Sequence, residues 1–200
     1  MAIIKVSTSV FSMIKTVERA VQKANPEDEI LVAAGKYKEL LTITKDVVIT
    51  AKNAEHVFIE GTIIVPKSKK LTLANMTIYP TTQLYVEGQI IFKNCLINGS
   101  LSNVSLSLNG GKAYANQCKF IGATDVVTLL NKSTATFEDC YFESNEKAHL
   151  LVEDSTVELT NTEFTKSNHA IWLKSNSDAR LENTKIHHHS GTHLIVQDAS

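Results

Sequence analysis

Between residues 111 and 198 the chain repeats itself every 22 residues, in four blocks that begin at Gly111, Ser133, Ser155 and Ser177. A fixed period of this length belongs to repeat architectures, in which each unit buries its apolar face only against its neighbours. With each block numbered from 1 to 22, positions 3 and 5 hold Ala113/Ala115, Ala135/Phe137, Val157/Leu159 and Ala179/Leu181, the alternation of a short strand. Position 7 is Gln117, Asp139, Asn161 or Asn183, and positions 8 and 10 are Cys118/Phe120, Cys140/Phe142, Thr162/Phe164 and Thr184/Ile186. Two inward residues, a one-residue polar corner and two more inward residues make a strand–bend–strand. Asn and Asp suit the corner because they tolerate left-handed backbone angles and bond their own backbone. Positions 16 to 20 supply a third strand. The register reaches upstream through Ile90, Phe92, Asn94, Cys95 and Ile97, through Leu71, Leu73, Asn75, Met76 and Ile78, and to Val47 and Ile49. The expected fold is an all-β parallel helix with three strands per turn, of roughly seven turns about 4.8 Å apart.

The chain reads as one domain over residues 1–200, with a helical region at 8–25 and β-helix turns over 26–200. Val10, Ile14, Val17, Val21 and Ala24 form a 4-3-4-3 stripe that Asn25-Pro26 closes. Thr8 or Ser9 is the expected N-cap, and Phe11 and Ile14 the expected anchors. Such a helix would cover the strand edges of the first turn. The far end has no comparable element, so it is expected to stay open, and either to continue into a longer protein or to stack on another copy.

The segment with Asp28, Ile30, Val32, Gly35 and Tyr37, preceded by a short helix and followed by a strand, resembles the entry of right-handed β-helix proteins of the pectin-lyase-like superfamily. The resemblance covers nearly the whole chain. It implies a single right-handed β-helix, and the superfamily holds lyases, esterases, hydrolases and non-enzymatic binding modules alike. In its enzymes, chemistry sits on the outer face of one strand ladder, on clustered Asp residues with Arg, His or Gln. This chain has two arginines, Arg19 on the helix and Arg180 between Asp178 and Glu182, and no tight Asp cluster or G-x-S-x-G. Arg180 reads as a cross-strand ion pair with Glu158. These departures point to the non-enzymatic branch.

Composition excludes several other classes. The net charge is −1 and the lysines are scattered, which disfavours nucleic acid. No segment has the length and apolarity of a membrane span, and the start lacks a secretory pattern, so the expected setting is cytoplasmic. Cys95, Cys118 and Cys140 share position 8 on consecutive turns and read as a buried thiol stack. His169, His187, His188, His189 and His193 gather late in the chain with His149, Glu143 and Glu146 nearby. Nothing in their spacing aims three at one point, so neither metal nor cofactor is expected.

The third strand is apolar on both faces. If positions 16, 18 and 20 point inward, then Val127, Leu129, Leu151, Ile171, Leu173 and Ile195 point outward, flanked by His149 and His193. The opposite phase would expose Leu130, Leu150, Trp172 and Leu194. Either choice presents an apolar strip that marks an interaction surface. The expectation is a non-catalytic module that binds a protein partner, or itself, through this strip or the open end. The alternative is a carbohydrate-active enzyme acting on an acidic polysaccharide.

Overall fold

The computed structural model describes residues 2–26, 28–51 and 56–197. Nine strands stack in one all-parallel ladder: Ile3–Val6, Glu29–Val32, Val47–Ala51, Lys70–Ala74, Gln89–Lys93, Lys112–Asn116, Thr134–Glu138, Thr156–Thr160 and Asp178–Glu182. A strand spacing of about 4.8 Å makes this ladder about 40 Å long. It has more rungs than the spacing of polar corners suggests. Its first two strands precede any corner residue, and Ile3–Val6 comes before the helix, pairing with Glu29–Val32.

A second sheet of 13 strands closes the coil. Its first members are long single strands, Gly35–Thr42, Val57–Val65 and Thr77–Val86. Three strands per turn is therefore correct only further along. Thr77–Val86 pairs at its start with Leu96–Asn98 and at its end with Val104–Asn109, and from there the second and third strands are separate. In Val57–Val65 the alternation is unbroken: Val57, Ile59, Ile63 and Val65 are buried, while Phe58, Glu60, Thr62 and Ile64 face outward.

The 22-residue register holds through the first two strands of each later turn. Ala113, Ala135, Val157 and Ala179 are successive partners, as are Phe120, Phe142, Phe164 and Ile186. Phe142 stacks on Phe120 and on Phe164, with centroid distances of 4.8 and 4.7 Å. The corners Asn75, Asn94, Gln117, Asp139, Asn161 and Asn183 all have φ between 49° and 58°. The Asn183 amide donates to Asn161 Oδ1 at 3.3 Å, and that of Asn161 to Asp139 Oδ1 at 3.2 Å. Cys95, Cys118 and Cys140 are free, buried thiols. A hydrogen bond with the Cys140 thiol, followed by burial, pushes the Cys118 thiol up to about 12, so it packs as a small neutral group.

The helix is shorter than its stripe suggests and spans Val17–Lys23. Thr16, not Thr8 or Ser9, is the N-cap, with Oγ1 accepting from the Arg19 N–H at 3.3 Å. The Glu39 carboxylate accepts from the N–H groups of Val17 and Glu18 at 2.7 and 3.1 Å. Val17, Ala20, Val21 and Ala24 are buried, whereas Phe11 is 94% exposed and anchors nothing. Residues 7–14 form a local loop instead of a first helical turn. The Ser7 N–H donates to the Ile14 carbonyl at 3.1 Å, and the Ser12 hydroxyl donates to the same oxygen at 2.8 Å. Serine side chains that bond nearby backbone compete with the helix, and here the loop wins.

Candidate functional site

The third strand contradicts the constant period. Val127 pairs with Leu150, Leu150 with Ile171 and Ile171 with Leu194, separations of 23, 21 and 23 residues. The loops before the strand, at 122–124, 144–147 and 166–168, change length, and the turns after it, at 131–133, 154–155 and 175–177, compensate. A one-residue slip sends a side chain to the other face. Neither uniform phase is therefore right. The outward column is Thr128, Leu151, Trp172 and Ile195.

The sequence-derived interaction set splits accordingly. Val127, Leu129 and Ile171 point inward and are fully buried, and Leu173 packs partly buried against the same core. Only Leu151 and Ile195 of the apolar set lie outward. His149 is also fully buried, against the rings of Phe142 and Phe164, and cannot flank a surface. His193 is exposed. Leu181, Leu194 and Val196 are exposed because they lie on the last described rung.

His149, His187 and His189 are held by protein partners. His149 Nε2 lies 3.1 Å from the Thr165 carbonyl, and Nδ1 meets the Asn145 side-chain amide, whose Oδ1 accepts from the Ala123 N–H at 3.1 Å. Burial, with His189 nearby, pushes His149 down to about 3. His189 Nδ1 lies 2.8 Å from the Ser167 hydroxyl, and His187 Nε2 is 3.0 Å from Glu163 Oε1. Among the described residues no three His, Cys, Asp or Glu side chains converge on a point that could hold a metal ion. Glu158 and Arg180 are register neighbours, but no ion pair joins them among the described residues.

The most site-like surface lies on the long early strands. Thr77–Val86 carries a bulge: Gly61 pairs with Pro80 but Ile63 with Leu84, so residues 81–83 stand out from the ladder. Bulges re-aim side chains in this way. Thr81, Thr82 and Gln83 line a hollow of about 640 Å³ with the loop at 100–103, Thr124 and Glu146. Thr82 Oγ1 lies 2.6 Å from Thr62 Oγ1, and the Thr124 hydroxyl donates to Glu146 at 2.9 Å. Beside the bulge, position 61 must be glycine, since a Cβ there would stand 1.8 Å from the Glu39 carbonyl oxygen.

Ser100 and Leu101 also line an adjoining hollow of about 350 Å³ with Lys36, Phe58, Glu60 and Tyr79. The two hollows meet at Ser100 and Leu101, which line both. The Phe58 and Tyr79 rings lie 6.3 Å apart at 38°. Lys36 is the register neighbour of Phe58, and Lys38 reaches Glu60 at 3.5 Å. The surface combines an aromatic pair, Lys36, the carboxylates of Glu60 and Glu146, and a wall of hydroxyls and amides. Of these residues only Glu146 stands out in the sequence. The signal of those on the long strands is the period-2 alternation of VFIEGTIIV and TIYPTTQLYV, which lies outside the 22-residue blocks.

A family profile described as "Right handed beta helix region" matches residues 125–200. Solved structures match over most of the chain. Pectate lyase Pel9A has a TM-score of 0.69 and 14% identity, covering 92% of this chain and 62% of the lyase. Pectin methylesterase from Aspergillus niger has a TM-score of 0.65 and 15% identity, covering 98% of this chain and 83% of the esterase. Pectin methylesterase PemA from Erwinia chrysanthemi has a TM-score of 0.53 and 16% identity, covering 88% and 66%. Among curated proteins none matches. The chain spans under two thirds of the lyase's length. The fold is therefore a right-handed parallel β-helix, as in these structures. These neighbours are enzymes, and none of the likenesses supports a non-enzymatic branch.

Proposed function

We propose that this β-helix is a carbohydrate-active domain that takes an acidic polysaccharide into the groove of Lys36, Phe58, Tyr79, Gln83 and Glu146. The observation that carries the reading is the Phe58–Tyr79 pair beside Lys36, set in a groove that continues along a polar wall. Sugar rings present apolar C–H faces to aromatic rings and hydroxyls to amide and hydroxyl partners. Lys36 beside the aromatic pair can meet a uronate carboxylate, because the neighbouring Glu60 is paired with Lys38 at 3.5 Å. That similarly folded solved structures are a pectate lyase and pectin methylesterases supports the same reading. It favours the carbohydrate-active alternative over the non-catalytic module expected from the sequence.

Isothermal titration with polygalacturonate, partly methylated pectin and a neutral glucan tests it, run beside assays for unsaturated uronate and for methanol release. Binding of the two acidic polymers and not the glucan is expected. Phe58→Ala and Tyr79→Ala should each weaken it by about tenfold, the loss of about 1.4 kcal/mol that a stacking contact of this size supplies. Equal binding of all three polymers, or binding that survives both substitutions, refutes the assignment.

A further inference from the structure

The outward face of the third ladder lies apart from the residues that line the groove. Its central column is Thr128, Leu151, Trp172 and Ile195. The Trp172 indole N–H is shielded from solvent and has no hydrogen-bond partner among the described residues. Two residues further along the strands, Glu153 and Lys174 sit side by side on adjacent rungs. They do not pair: Lys174 Nζ lies over the Trp172 ring, 4.7 Å from its centre, and Glu153 has no ion-pair partner among the described residues.

We infer that this face docks a second copy of the chain, antiparallel, about a two-fold axis that runs along the strand direction between the rungs of Leu151 and Trp172. An isologous interface must be self-complementary, each residue i meeting j while j meets i. Under this axis Leu151 faces Trp172 of the second copy, and Glu153 faces Lys174 of the second copy, each contact occurring twice. Opposite charges on neighbouring rungs, beside an apolar column, satisfy that condition. A two-fold axis along the stack through the column of Glu153 and Lys174 would instead set Glu153 against Glu153 and Lys174 against Lys174. The arrangement gives an apolar centre with a charged rim.

Light scattering on the full chain over a concentration series tests the inference. A dimer is expected. Leu151→Glu should leave the β-sheet circular dichroism unchanged and give a monomer. Glu153→Lys, a surface change that leaves the core alone, should weaken dimerisation by at least about tenfold through like-charge repulsion. Glu153→Lys combined with Lys174→Glu should restore it. A monomer at every soluble concentration overturns the inference, as does a dimer indifferent to Glu153→Lys or a double variant that fails to recover.

Discussion

His149 should make the stability of this β-helix fall in mild acid, and the effect is large enough to isolate. The ring is fully buried and both nitrogens are engaged: Nε2–H donates to the Thr165 carbonyl, so Nδ1 must accept from the Asn145 amide. A second ring proton would confront that amide, and Asn145 cannot turn over without withdrawing Oδ1 from the Ala123 N–H. Burial, then the proximity of His189, accordingly lowers His149 from its ordinary 6.5 to about 3. The folded value is depressed, so the unfolded chain takes the proton first. The contribution is complete above the unfolded value and erodes as pH falls from 6.5 toward 3. Between those limits the slope is about 1.4 kcal/mol per pH unit, which gives about 2 kcal/mol at about pH 5. His149→Gln retains an N–H for Thr165 and an oxygen for Asn145 but cannot titrate. Urea unfolding of both proteins across this window should show the variant's stability falling less steeply with acid, by about one proton. Other titrating groups, His189 included, are common to both and cancel in the difference to first order. Parallel curves would refute the argument.

Two other substitutions probe the stack. Phe142→Ala should cost about 3–5 kcal/mol in chemical denaturation, because a void opens between the rings of Phe120 and Phe164 that stacked strands cannot collapse. At the corner, Asn161 has φ of 49°, so Asn161→Ala should cost about 1–2 kcal/mol, while Asn161→Gly should stay close to the parent. Equal effects of Ala and Gly there would show that the ladder hydrogen bonds, not the backbone angle, fix the residue.

The parts of the fold that were legible in the sequence share one cause. A position that recurs in the same column of a stacked coil must keep its chemistry, so Phe120, Phe142 and Phe164, the thiols and the corner residues could be read as columns from the spacing alone. The third strand could not. Its loops trade a residue between the two sides of the strand, leaving the 22-residue total intact while flipping which face Leu151 and Val127 occupy. An apolar run carries no record of that flip, because Leu and Val suit either face. Helix length failed for a different reason: the stripe from Val10 to Ala24 is genuine, but serine side chains settle residues 7–14 in a loop. The aromatic pair and the bulge are not legible from the repeat because Phe58, Tyr79 and residues 81–83 lie on long strands outside it. The bulge that lifts residues 81–83 depends on where Thr77–Val86 pairs with its neighbour.

A crystal structure with a short oligogalacturonide soaked in tests the central claim most directly. The account predicts a sugar ring against Phe58 and Tyr79, with its carboxylate toward Lys36 and the chain running past Gln83 toward Glu146. Sugar density on another face, or none in a groove left open to solvent, would contradict it.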